Sequence, residues 1–528
     1  MDKNLLWAVT LSIAIYALWF GLIEKRYVKP VPPTQAAAQA QAQSPAALAA
    51  PAPQAAGPAG QSLSSPERHG RSPLPATAAD RKALESEADS LAARGAELRV
   101  HRLGAAIVSC RYRGPLGPVE LVHEPRPGLF ATWPQLRFER LADEGQGGAA
   151  RYAAARPDGM KIVKEFLPEG PDSLPRIRVR LLNPTRRVLA SEEWTMTIGP
   201  GLDTVPSEEK DNARVSRALG LLLADQGLQP KIEVFKPGEH AGPYRWVGVD
   251  NRYFLAAALP PAGDFAPVQS SSPPQLTLRA KSVPVPPGGE RSWEIPYYLG
   301  AKGNTWLTRY QCGLERSIDF GFFSQLGRFV LKVLGRIYLL TGNWGWAIVL
   351  MTFLIQALLF PLTYKSMKAM SIMKRLQPEI ARLQQKYAKD PSRLNAEMME
   401  LYKKSGANPL GGCLPLLLQM PVFIALFNAL RNAWELHGAP WMFWIRDLSA
   451  RDPYYALPIV MGGVMFLQNR MNPAATADPT QKTMMTWMPV IFTFMFLSTP
   501  AGLVLYWLTS SILSAGIQMA LRSRFEPA

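Results

Sequence analysis

The sequence predicts a polytopic α-helical membrane protein. Six spans are expected, five of them forming a C-terminal core, with a large all-β domain outside the membrane after the first span. Three observations predict this. The chain has 528 residues, a net charge of +17 and 48% hydrophobic residues, yet its charges are concentrated in residues 67–336 and 365–404. Long stretches elsewhere carry none, and several could cross a hydrocarbon core of about 30 Å as helices. Between Glu97 and Gly300 the pattern changes to short β-like runs separated by Pro and Gly. Segregation on this scale excludes a soluble single-core protein. Three cysteines in such a long chain exclude a disulfide-framework miniprotein.

Leu5–Ile23 is a run of 19 residues without a charge. It is longer than a signal-peptide core, and Glu24-Lys25-Arg26 stands where a small-residue cleavage site would be. Residues 1–29 therefore read as an uncleaved anchor. Residues 30–80 read as a flexible tether, because up to residue 66 they are uncharged and mostly Ala, Pro, Gln, Ser and Gly. A helix is expected around Arg81–Arg94.

Residues 81–315 read as one large β-sandwich domain. In Arg176-Ile177-Arg178-Val179-Arg180-Leu181 the alternation is strict, with a basic outer face and an aliphatic inner one. Little there points to chemistry. The five histidines (His69, His101, His123, His240, His437) are scattered, and no metal site is expected. There is no phosphate loop and no GxSxG nucleophile elbow, so no catalytic residue and no cofactor are assigned. Glu208, Glu209, Asp250 and Glu290 could line a sugar site, but charged residues are mostly solvated. Cys110 and Cys312 share an oxidising compartment, and sequence leaves their pairing open.

Residues 316–340 read as an amphipathic helix lying in the headgroup layer. Phe322, Leu326, Phe329, Val333 and Ile337 recur at helical spacing, and Arg328, Lys332 and Arg336 form a basic stripe on another face. The second span is 341–364. Residues 365–404 read as an antiparallel helical hairpin. Leu376, Ile380, Leu383 and Tyr387 make one apolar stripe, and Leu394, Met398 and Leu401 another, on either side of Asp390-Pro391-Ser392. Ten basic and four acidic residues give the hairpin a charge of +6. It would suit phospholipid, a nascent chain or ribosomal RNA; DNA is not expected as a partner.

Residues 405–521 hold spans three to six, and 522–528 form a tail. Lys and Arg crowd the loops after spans two and four and the tail, so both termini are expected in the cytoplasm. None of the last five spans carries an ionisable residue at mid-depth, which argues against an ion-coupled transporter. They do carry Thr352, Gln356, Gln419, Gln468, Thr493, Thr509, Ser510 and Ser511. Such groups either bond neighbouring helices or line a wet concavity. Spans four and five are short, and a helix of about 14 residues covers only about 21 Å, which thins the bilayer or buries the helix.

Several motifs are more specific. They are Asn343-Trp344-Gly345-Trp346, Phe360-Pro361-Leu362-Thr363 and Asn408-Pro409-Leu410-Gly411-Gly412-Cys413, then Pro415 to Pro421, Asp447-Leu448-Ser449 and Asp452-Pro453-Tyr454-Tyr455. Met488 to Phe492 and Pro500 to Trp507 complete the set. With these the chain resembles the YidC family of bacterial membrane protein insertases, in its Gram-negative form, densely over residues 320–521. The resemblance implies a periplasmic β-supersandwich and a hydrophilic groove open to cytoplasm and lipid. It implies a chaperone and insertase of the inner membrane whose clients are newly made membrane proteins. Insertion would proceed alone or with the Sec translocon, with the ribosome as a further partner and without nucleotide hydrolysis. The family's substrate-contacting positions correspond to Thr352, Phe423, Met461, Met495 and Trp507. Gln419, Thr493 and Ser510 would add polar lining. One departure is Gln356, which stands where the family usually has a basic residue. Two other functions compete: a small-solute channel or transporter, and a membrane-tethered periplasmic carbohydrate-active protein. The first needs an internal repeat or a mid-membrane charge, the second a paired-carboxylate site.

Overall fold

The computed structural model describes residues 78–528, apart from 143–148, 171, 200, 224–228, 271–274, 389, 407–413, 472–478 and 526–528. The expected N-terminal anchor and nearly all of the tether lie outside the described residues.

The β domain begins with helix α1 (Ala78–Ser86). It is shorter than the sequence suggests. After Ser86 the chain enters strand Asp89–Ala93, which pairs antiparallel with Ala96–His101. Gly95 in the connecting turn has φ +74°, a backbone conformation that suits glycine in a tight hairpin turn.

A nine-stranded antiparallel sheet forms the body of the domain. Its order runs Lys231–Val234, Arg217–Leu222, Tyr244–Asp250, Phe254–Ala258, Glu290–Ala301, Arg176–Leu182, Lys161–Leu167, Ala150–Ala155, Glu139–Arg140. A five-stranded sheet containing Trp194–Gly199 and Leu276–Ala280 shares its core. Ile162, Ile177, Val179 and Ile295 from the first sheet meet Met196, Ile198, Leu276 and Leu278 from the second. Trp194 bridges them, 4.8 Å from the Trp133 ring and 5.5 Å from Trp293. The alternation of Arg176–Leu182 holds. Ile177, Val179 and Leu181 are buried, while Arg176, Arg178 and Arg180 pair outward with Glu294, Glu165 and Glu290. Cys110 and Cys312 are free thiols buried in different apolar clusters.

Helix α2 (Glu209–Val215) decorates this domain. The outer face of the large sheet, with Leu219, Leu221, Trp246 and Leu255, is covered by Leu314, Ile318 and Phe320. That cluster continues without a break into a helical bundle.

The bundle comprises α3 (Ser324–Thr341), α4 (Trp344–Lys386), α5 (Pro391–Lys404), α6 (Leu414–Asn432), α7 (Ala456–Met471), α8 (Pro479–Phe496) and α9 (Ala501–Phe525). By length and composition, Trp344–Met373 and Ala501–Leu521 can cross a membrane, and Thr486–Phe496 is a shorter apolar helix. Helix α4 is continuous for 43 residues through Pro361 and Pro378, about 65 Å at the helical rise. Asp390 caps α5 by accepting the Arg393 N–H at 3.1 Å, and Tyr387 Oη donates to Glu397. On α3 the buried face is Gly327, Val330, Leu331, Leu334 and Ile337. Phe322 and Phe329 point outward instead, 50% and 63% exposed. The helix is apolar on two sides, one packed on the bundle and the other exposed. Arg328 is half-buried, and Lys332 and Arg336 are exposed.

Candidate functional site

The bundle has two unlike ends. At the end facing the β domain, the helix termini are tied by side chains that hold backbone groups. Asn343 caps α4 by accepting from the Gly345 and Trp346 N–H groups, and its amide donates to the Pro440 and Trp441 carbonyls. Asp452 caps α7, accepting from the Tyr454 and Leu457 N–H groups and from the Trp444 indole. The first N–H groups of α9 donate to the carbonyls of the same loop, Ala501 to Ala450 at 2.7 Å and Gly502 to Leu448 at 2.9 Å. A Cβ on Gly502 would sit 3.2 Å from the Leu448 oxygen, so glycine permits this approach.

The segment after α6 enters the β domain. Trp434 is buried there against Tyr112, Tyr253 and Phe254, with ring centroids 5.1–5.8 Å apart. Glu435 accepts the Asn304 N–H at 2.8 Å, and burial raises its carboxyl above the usual value. His437 stacks on Trp434 and lies 3.1 Å from Ser449 Oγ. Burial lowers its pKa, opposed by Asp447.

Burial changes along the helices. Six consecutive residues of α9, Ala501–Tyr506, are all buried. Beyond them burial narrows to one stripe, including Leu508, Ser511 and Ala515. On α6, Ala425, Leu426, Ala429 and Leu430 are buried, whereas Gln419 through Ile424 are half-buried or exposed. Among the described residues, burial is therefore more complete in the half of the bundle nearer the β domain than in the distal half.

Polar groups meet where that change occurs. Gln356 of α4 donates to Ser510 Oγ of α9 at 2.7 Å, and Ser514 Oγ lies 3.5 Å away. Gln419 of α6 donates to Tyr506 Oη of α9 at 2.6 Å. These contacts join three helices by side chains alone. Beside them Trp507 gathers Phe423 of α6 at 4.8 Å and Phe492 and Phe496 of α8 at 5.6 and 5.5 Å. The arrangement is a polar seam flanked by an aromatic cluster, with no ionised side chain in it. Among the described residues no group of three or more His, Cys, Asp or Glu is placed to hold a metal.

The residues expected to line a groove divide accordingly. Gln356, Ser510, Gln419, Phe423 and Trp507 come together. Thr352 is fully buried and bonds the Ile348 carbonyl of its own helix. Thr493 bonds Pro489 and fits against Gly462, where a Cβ would collide with its hydroxyl. Met461 is fully buried in the core, and Met495 is 50% exposed on α8. Tyr506 and Ser514 complete the seam and are not among the residues singled out from sequence. Ser514 follows Ser510 by four positions, the spacing of one helix face, and was findable on that ground.

Residues 336–528 match the family model described as 60Kd inner membrane protein, and residues 230–333 match that of the YidC periplasmic domain. The membrane protein insertase YidC of Endomicrobium trichonymphae is 39% identical over 417 residues, covering 75% of this chain and 77% of that protein. That of Wolinella succinogenes is 47% identical over 229 residues, 43% of each chain. A crystal structure of an active YidC insertase with its first transmembrane domain resolved is 16% identical, with a TM-score of 0.40, covering 82% of this chain and 92% of that one.

Proposed function

The chain belongs to the YidC family of membrane protein insertases, and from that premise we propose how it moves its clients. It is an inner-membrane protein with a periplasmic domain, and it acts on newly made membrane proteins. The observation that carries the mechanism is the polar seam at the boundary between closed and looser halves of the bundle. A polar segment entering the looser half meets Gln356, Ser510 and Gln419, which replace water at lower cost than hydrocarbon does. The attached apolar segment leaves along Phe423, Trp507 and Met495 into lipid. Flat aromatic and flexible methionine surfaces accept varied sequences. Transfer of apolar surface, about 25 cal/mol per Å², supplies the driving force. Thr352 and Met461 become accessible only if the helices part, so they belong to a later step.

The finer organisation is part of the same proposal. Six spans, the first within residues 1–29 and five after residue 340, put both termini in the cytoplasm. Residues 365–404 form a cytoplasmic basic hairpin that receives the client, with the ribosome and the Sec translocon as partners. Support comes from the distribution of Lys and Arg and from the pairing of α4 with α5. The β-supersandwich stands on the periplasmic side, over the closed end.

Site-specific photocrosslinking from positions 423, 507 and 352 to a stalled nascent chain tests the mechanism. Client crosslinks are expected at 423 and 507 first and at 352 later. Crosslinks to lipid alone at all three would overturn it. Removal of most of the β domain separates this function from a carbohydrate-active one, since insertion should continue and sugar chemistry could not.

A further inference from the structure

We propose that the cavity between α2, the Asn251-Arg252 turn and the last turn of α6 holds the phosphate of an anionic phospholipid headgroup in the periplasmic leaflet. It has a volume of about 330 Å³. Five cations line it: Arg214, Arg217, Arg252, Lys302 and Arg431. Three are committed within the wall. Arg217 pairs with Asp250 and, at 2.7 Å, with Asp319. Lys302, only 2% exposed, pairs with the same Asp250 at 2.8 Å, and Arg252 pairs with Glu208. Among the described residues, Arg214 and Arg431 have no carboxylate within 4 Å, and Arg431 lies over the Phe427 ring. Of the lining acids, Asp319 is engaged, and Asp211 has no cation partner among the described residues. The site thus presents two whole guanidinium forks, and one N–H⋯O contact leaves the Lys302 ammonium with donors to spare. Asn428 and Asn432 spend their amides on the Phe320 and Asp319 carbonyls, which fixes the wall in place.

Guanidinium forks match phosphate oxygens two at a time, which favours a phosphate over a carboxylate or halide. The position favours a lipid. Arg431 ends an apolar helix, at the depth where a snorkelling cation meets headgroups. Gly321 approaches Asn428 so closely that a Cβ would lie 2.8 Å from its amide nitrogen, and the next residue is the exposed Phe322. Its ring and that of Phe329 offer an apolar surface for acyl chains beside the phosphate site. The inference uses the membrane placement of α6 and is independent of how clients move through the seam.

The test is native mass spectrometry of the purified full-length protein titrated with phosphatidylglycerol and, separately, phosphatidylcholine. One phosphatidylglycerol should be retained preferentially. Its affinity should fall on the order of tenfold in Arg214→Gln, and further in the double variant with Arg431→Gln. Lys161→Gln, at an exposed strand position of the β domain that does not line the cavity, should leave it unchanged. Arg214 is exposed, so its variant should keep the wild-type unfolding temperature. Equal retention by the Arg214 and Lys161 variants would overturn the proposal. So would displacement of the lipid signal by inorganic phosphate at the same concentration, which would mark a free-phosphate site. A photocrosslinker at Val215 that captured nascent chain and no lipid would assign the cavity to acidic client segments instead.

Discussion

At the end of the bundle facing the β domain, side chains hold backbone; in the distal half, side chains hold each other. Asn343, Asp452 and Glu435 satisfy N–H groups that have no alternative partner once buried, and losing any of them leaves orphan donors. Gln356–Ser510 and Gln419–Tyr506 are bonds between side chains of different helices, typically worth about 0.6 kcal/mol each inside a membrane. One end is therefore expensive to open and the other cheap. An insertase needs that asymmetry, because a bundle that opened at both ends would leak and one that opened at neither would admit no client.

The largest effect should come from breaking the closed end at its centre. Trp434→Ala removes a ring packed among Tyr112, Tyr253 and Phe254 and should cost about 3–5 kcal/mol. Thermal unfolding of the solubilised protein and protease cleavage near residues 304–323 would report it. An unchanged unfolding temperature would mean that the tryptophan does not couple the β domain to the bundle.

A paired comparison sharpens the contrast. Asp452→Ala should lose about 1–2 kcal/mol, the upper range for a cap, since three donors depend on it. Gln419→Leu should lose under about 1 kcal/mol. Their effects on insertion should rank the other way, with the Gln419 variant slower on clients that carry polar translocated segments. Equal ranking in stability and insertion would dissolve the distinction between the two ends.

The closed end should also respond to acid. Burial holds His437 below its usual 6.5, so its neutral form is the one the fold prefers. Its contribution is present above pH 6.5 and is lost as pH falls through the folded-state value. Glu435 has the opposite sign. Its raised pKa means a contribution present below pH 4.5 and lost as pH rises through the folded-state value. Between these limits the two oppose each other. His437→Asn should be less stable than wild type near neutrality and should show a flatter fall in unfolding temperature between pH 7 and 5.5. Parallel curves would exclude His437 as the titrating group.

The sequence was most legible where periodicity or motif had a single physical reading. Alternation in Arg176–Leu182 predicted its two faces, and the Asp390-Pro391 pair predicted where α5 begins. Asn343, Asp452 and Gly502 carry the family resemblance, and the structure gives the reason: they cap or admit helix ends at the closed side. The seam was less legible. Tyr506 sits in an apolar run where its hydroxyl looked incidental, and its partner Gln419 is 87 residues away. Spacing cannot say which of two faces a polar residue takes, so Thr493 and Thr352 counted equally with Ser510 although both bond their own helices. The outward turn of Phe329 was hidden for a similar reason, because α3 is apolar on two sides and its pattern suits either.

The smallest expected effect is the most specific to this chain. Gln356 is 8% exposed and already bonded to Ser510, so Gln356→Arg places a cation beside two hydroxyl acceptors in the seam. The long side chain can direct its remaining donors toward the distal half of the bundle. The variant should therefore fold with an unfolding temperature close to wild type. Glutamine can hydrogen-bond a passing client but exerts no long-range attraction, whereas arginine adds attraction for carboxylates alone. Insertion should rise for clients whose translocated segments are acidic and stay level for neutral ones, measured by protease protection in proteoliposomes. A gain shared equally by both client classes would mean that the seam acts through hydration, and charge at position 356 would be irrelevant to capture.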